Sequence, residues 1–170
     1  MADSKVFWID LRTNPSLNIL QKLEKLLREA GFTALDLDGK FTALKIHFGE
    51  PGNMSGIRAP YVAIVSGLVR ELGGKPFLTD ANTLYTGKRD NAYNHLRAGY
   101  GNGFSYDATG CDLIIADGLK GNDFVDMPVK GGIHCTSARI GCAVADADAV
   151  ISLNHFKGHE LTGFGGALKN

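Results

Sequence analysis

The residues with the greatest chemical capacity stand together in one run, His155-Phe-Lys-Gly-His159-Glu-Leu-Thr-Gly-Phe-Gly-Gly-Ala-Leu-Lys169-Asn170. Neutral imidazole serves both as a general base near neutral pH and as a metal ligand. His155 and His159 are four apart, so on a helix they would share a face. Gly158 and the strand pattern just before it make a loop the better reading of that stretch. The turn from Gly163 through Gly165 and Gly166 can aim backbone N–H groups, together with Lys169, at a carboxylate or phosphate. His159 and Lys169 are therefore candidate catalytic groups, Gly165 and Gly166 candidate substrate contacts, and His155 and His159 candidate metal ligands.

A second cluster is His47-Phe-Gly-Glu50-Pro-Gly-Asn-Met-Ser-Gly-Ile-Arg58. His47 is a candidate second base, Arg58 can grip an anion with two parallel hydrogen bonds, and Glu50 is a further polar candidate. The glycines do not have phosphate-loop spacing, because no Gly-Lys-Ser/Thr follows. Asp80-Ala-Asn82-Thr83 is a polar strand end that can hold a hydroxyl, a metal or water, or simply turn the chain. Asp117-Gly118 is equally ambiguous. His95 lies within a helical pattern and reads as structural. Tyr100-Gly-Asn-Gly103 lacks the preceding strand that a dinucleotide fingerprint requires.

The elements that must position these groups follow from the apolar pattern. Strands are expected at 5–10, 41–48, 76–80, 112–117 and 149–153, where short runs are apolar and rich in β-branched or aromatic residues. A helix is expected from the Asn14-Pro15 start to Gly31, because Leu17, Leu20, Leu23, Leu27 and Ala30 recur at helical spacing. Further helices are expected at 60–72, 91–100 and 138–147, with an extra strand or hairpin at 127–135. Alternating strands and helices predict an α/β fold, a mainly parallel sheet with helices on both faces in a Rossmann-like three-layer arrangement. In such sheets ligands bind beyond the carboxyl ends of the strands. The loops after His47, Thr79, Ala116 and Leu153 all fall on that rim.

Composition limits the alternatives. The 170 residues suit one domain, and Lys plus Arg equal Asp plus Glu at 18 each. A nucleic-acid or anionic-membrane partner held mainly by charge needs a basic face, so neither is expected. No apolar run approaches membrane-spanning length and no secretory leader pattern opens the chain, so the expected location is the cytoplasm. Three cysteines without Cys-x-x-Cys spacing write neither a disulfide scaffold nor a complete cluster site. Glycine, at 22 residues, is roughly twice its usual share, which suits tight turns or backbone approaching a ligand.

The runs LKIHFGEPGN, ELGGKPFLTDANTLYTG, IIADGL and LNHFKGHELTGFGGALKN resemble the prokaryotic family catalogued as domain of unknown function 362. That resemblance implies an iron–sulfur association. Members typically continue past the GGALKN segment into a ferredoxin-like region binding [4Fe–4S] clusters, so a cluster is implied for a full-length relative and is not expected within these 170 residues. The spacing His159-x3-Gly163-Phe164-x-Gly166-x2-Lys169, with Asp10-Leu-Arg12-Thr-Asn-Pro15, is distantly similar to the nickel-pincer lactate racemases. That likeness implies acid–base work for His159, cofactor anchoring for Lys169, and nickel or another metal as a candidate cofactor.

Two functional readings follow. One is an enzyme domain for redox or proton-transfer chemistry on a small anionic substrate, oxidoreductase-like or racemase-like, in a strand-end pocket. The other is a non-catalytic binding or electron-transfer module that docks a ferredoxin-like domain. Convergence of His47, Arg58, Asp80 and His159 in one pocket favours the first; their dispersal favours the second.

Overall fold

A computed structural model describes residues 4–170. The first helix, α1 (Ile19–Glu29), begins four residues later than the Asn14-Pro15 signal predicts. Asn14 instead closes a tight turn with Leu17, its side chain accepting the Ser16 N–H at 2.9 Å. Asn18 is the true cap: its side chain accepts from Leu20 and Gln21 N–H while the Gln21 side chain accepts the Asn18 N–H. This reciprocal box satisfies donors that a helix start otherwise leaves open. Residues 5–10 form no strand, and Val6 and Trp8 stay 89% and 80% exposed. Strand propensity is a preference for packing on a pleated neighbour, and this segment has none. It is held to α1 through Lys22, whose ammonium donates to Asp10 at 2.5 Å and to the Arg12 carbonyl at 2.7 Å.

The sheet consists of β1 (Phe41–Ile46), β2 (Lys75–Asp80), β3 (Asp112–Ile115) and β6 (Ala149–Leu153), in the order β3-β2-β1-β6 and all parallel. Leu113, Leu78, Leu44 and Ile151 align in register across all four strands. They meet Val62, Val65, Leu68 and Val69 of α2 (Ala59–Glu71) in the core. Each such side chain contributes roughly 1.5–3 kcal/mol when fully buried. Helix α3 (Ala92–Gly101) approaches β3 at Gly99, where an added Cβ would lie 2.9 Å from Leu113 Cδ2. A single turn, α4 (Tyr106–Thr109), packs on α2, and its Thr109 carbonyl accepts the Ser66 hydroxyl. The α/β class with a Rossmann-like parallel sheet flanked by helices is as the sequence predicts.

The crossover from β3 back to β6 differs from expectation. The predicted helix at 138–147 is instead strand β5 (Ser137–Gly141), paired antiparallel with β4 (Phe124–Pro128), followed by the one-turn helix α5 (Cys142–Ala145). Ladder bonds to Val125 and Met127 outweigh the weak helical preference of Ala138–Ala143. The hairpin expected near 127–135 exists, shifted so that 129–136 forms its connection. Gly141 is required here, because a Cβ would lie 2.7 Å from the Ala116 carbonyl carbon and oxygen. After β6, the chain forms a small hairpin of β7 (Lys157–His159) and β8 (Gly163–Gly165). Among the described residues no helix is long and apolar enough to cross a membrane.

Candidate functional site

The carboxyl ends of β1 and β6 diverge around a small pocket that encloses about 60 Å³. His47, directly after β1, forms one wall with Asn53 of the following loop. Asn154 and His155, directly after β6, form another, and Lys157, Gly165, Gly166, Lys169 and Asn170 close it. The two sequence clusters therefore meet, although nearly a hundred residues separate them. Two lysines, two imidazoles and three amide side chains face this space, and among the described residues no aspartate or glutamate side chain lines it.

The terminal segment is held there by Asn170. Its side-chain amide donates to the Asn154 side chain at 2.8 Å and to the Leu153 carbonyl at 3.4 Å. Its side-chain oxygen accepts from the Lys45 ammonium at 2.5 Å. Lys45 also donates to Asp80 at 2.9 Å, joining the tail to a buried polar group beneath the rim. Burial by itself would raise the Asp80 carboxyl; His95 and the Lys45 ammonium outweigh it and bring the pKa down to about 2. His95 Nε2 lies 3.5 Å from Asp80 Oδ2 and Arg89 Nη1 lies 3.9 Å from it. His95 is fully buried in α3, in accord with its structural reading.

His47 is held neutral. Burial, followed by the nearby Arg89 guanidinium, lowers its pKa to about 4. Its Nδ1 accepts the Gly49 N–H at 2.8 Å. A neutral imidazole whose Nδ1 accepts must carry its proton on Nε2, so His47 is a hydrogen-bond donor at its remaining nitrogen. His159 Nδ1 likewise accepts backbone hydrogen bonds, from Leu161 at 3.2 Å and Thr162 at 3.3 Å. It sits in β7 outside the pocket lining. His155 is different: among the described residues neither of its nitrogens has a hydrogen-bond partner, and it lines the pocket.

The other sequence candidates are distributed around this centre. Glu50 accepts a hydrogen bond from Arg89 at 2.5 Å, which lowers its pKa, and does not line the pocket. Asn82 is committed to Asp117 at 2.9 Å and to the Gly118 carbonyl at 2.9 Å, so it turns the chain. Asp80 lies below the rim with Lys45. Arg58 stands beside the pocket in an adjoining groove, its guanidinium 3.2 Å from the Met54 carbonyl. Sequence reasoning missed Lys45, Asn53 and Asn154, which are ordinary residues within a strand and two loops. The one available signal was that Lys45 and Asn154 stand at strand ends, and Asn53 in the loop after one, on the rim where such sheets bind ligands.

The residues present do not compose an iron–sulfur or nickel centre. A [4Fe–4S] cluster takes four thiolates, and the chain has three cysteines, of which Cys111 is buried, Cys142 half-buried and Cys135 exposed. Among the described residues no group of three or more His, Cys, Asp or Glu side chains is gathered to hold a metal ion. His155 lines the pocket and His159 does not, so the suggested pair is not assembled there.

Comparison with known proteins gives no match among curated proteins and none among solved structures. A family match does exist and covers the whole pocket from Ile46 to Asn170, together with every strand of the sheet except the first residue of β1. Over residues 42–170 the chain matches the domain of unknown function DUF362, and it belongs to that family.

Proposed function

We propose that this domain binds a small organic anion at the ends of β1 and β6 and moves a proton on it. The observation that carries this reading is the choice of polar side chains in the pocket wall: lysines, imidazoles and amides set among Ile46, Ile57 and Leu153, with no acidic side chain among the described residues. Lys157 and Lys169 supply positive charge, and the Gly165–Gly166 backbone is open enough for an anion to approach. Neutral His47 donates from Nε2 and adds no charge. His155, whose nitrogens have no hydrogen-bond partner among the described residues, is the group suited to take or return a proton. The work assigned from sequence to His159 thus passes to its neighbour four residues earlier.

The test is titration of the purified chain with acetate and with inorganic phosphate, followed by calorimetry and by histidine ring NMR. Saturable binding that shifts the His47 and His155 resonances is expected. Replacing Lys169 by Gln should weaken binding roughly tenfold, in keeping with loss of one charge-assisted hydrogen bond. Binding unaffected by K157Q and K169Q together would exclude the pocket.

Two observations favour the docking-module reading: of His47, Arg58, Asp80 and His159, whose convergence would favour an enzyme, only His47 lines the pocket, and an aromatic pair is exposed beside it. Phe156 and Phe164 stack at 5.3 Å on the β7–β8 hairpin while remaining 72% and 66% exposed, next to exposed Leu161 and Leu168. An exposed aromatic pair of this kind suits contact with another domain. Cross-linking through a cysteine placed at Leu161 tests that role independently of anion binding.

A further inference from the structure

Alongside the anion pocket runs a much larger groove of about 620 Å³, between the segment at Leu11, helix α1, the start of α2 and the end of β6. Its wall is mainly apolar, with Leu23 and Leu27 of α1, Ile57, Tyr61 and Val65 of the α2 region, and Leu153 of β6. The two spaces are not separate. Gly56, Ile57, Leu153, Asn154 and His155 line both, so one wall of the polar pocket is also a wall of the apolar groove.

Size divides the labour between them. The polar pocket, at 60 Å³, has room for a head group, since a water molecule's share of liquid volume is about 30 Å³. The groove, at 620 Å³, falls within the range of roughly 300–1,000 Å³ occupied by small-molecule sites. The charges follow the same division. Lys157 and Lys169 lie only in the polar pocket, Arg58 sits at the groove, and His155 stands on the shared wall.

Resting on the anion reading given above, we infer that the ligand is an amphipathic organic acid. Its carboxylate or phosphate head lies at Lys169 and its aliphatic or aromatic tail lies along the groove. His155 then stands where head and tail join, beside the first carbons after the acid group. A free inorganic anion fills only the smaller space and leaves the apolar wall wet.

The experiment is a chain-length series of acetate, butanoate, hexanoate and octanoate, with octanol and octyl phosphate as controls, titrated calorimetrically into the whole chain. Affinity is expected to rise about three- to fourfold for each methylene buried, with a negative heat-capacity change that grows with length. Octyl phosphate binding more tightly than inorganic phosphate supports the same conclusion. L23Q should flatten the length dependence, and K169Q should weaken every acid alike. Should L23Q fail to fold, the wild-type series is decisive by itself. Acetate binding without any gain in octanoate would overturn this inference and leave the anion pocket standing. No binding of any acid would remove the anion reading itself. Octanol binding as tightly as octanoate would show that the groove takes apolar ligands without regard to the head, which also overturns the inference.

Discussion

Lys45 Nζ lies 2.5 Å from the side-chain oxygen of Asn170, a hydrogen bond between residues 125 apart in the chain. The same ammonium holds Asp80 at 2.9 Å, so one cation joins the sheet, a buried carboxylate and the tail that closes the pocket. Replacing Lys45 with Met should cost about 3 kcal/mol in urea unfolding, because Asp80 would remain ionised and buried without its nearest cation. Asn170→Ala leaves that pair intact and should cost about 1 kcal/mol. Its diagnostic effect is local: faster amide exchange across residues 154–170 with little change in the sheet.

His47 gives a pH dependence of definite sign. Its pKa falls from 6.5 to about 4 on folding, so between those values the unfolded chain binds more protons than the folded one. Stability from this group is fully present above pH 6.5 and is lost as pH falls toward 4. Partial exposure to solvent reduces the effect, leaving a decrease of about 1–2 kcal/mol over that window. Urea midpoints measured at pH 4, 5.5 and 7 for the wild type and His47→Gln check it; the variant should show a shallower slope.

Gly166 is not demanded by the fold. Its φ is not positive, and an added Cβ would meet nothing nearer than Phe156 Cδ2 at 3.5 Å. Gly166→Ala should therefore leave thermal stability within about 0.5 kcal/mol of wild type. If the ligand approaches this backbone, anion affinity falls nonetheless. Parallel thermal melts and acetate titrations separate the two effects.

Gly141 is the opposite case. Its Cβ would collide with the Ala116 backbone at 2.7 Å, where neither strand end can easily move. Gly141→Ala should destabilise by about 1–3 kcal/mol, the usual cost of overpacking, as measured by chemical unfolding.

The sheet was legible because its four strands carry their own apolar pattern, and each returns within a residue or two of its expected bounds. The failures share a cause. Residues 5–10 have a strand composition but no neighbouring strand, and residues 137–141 have a helical composition but gain a partner in β4. Both outcomes depend on what lies alongside in space, which local pattern does not contain. The site behaved likewise. His47, His155, Lys169 and the glycines were visible by type and position, whereas Lys45, Asn53 and Asn154 acquire meaning only once the two chain regions meet. The protonated nitrogen of His47 was beyond sequence reasoning, because it is fixed by one backbone N–H from Gly49.

The contact between Lys45 and Asn170 also bears on the order of assembly. Closing a loop of that length carries a length-dependent entropy of about 4 kcal/mol, far more than the hydrogen bond returns alone. The tail can settle only after the sheet is formed and the walls from β1 and β6 already stand side by side. The pocket is thus a late, non-local product of folding. A ligand that bridges the two walls adds RT ln(1 + [L]/Kd) to the stability of the finished molecule and nothing to its partly folded forms. If the pocket takes the proposed anion, its occupancy reports on completion of the fold, and partly assembled chains have no affinity for that ligand.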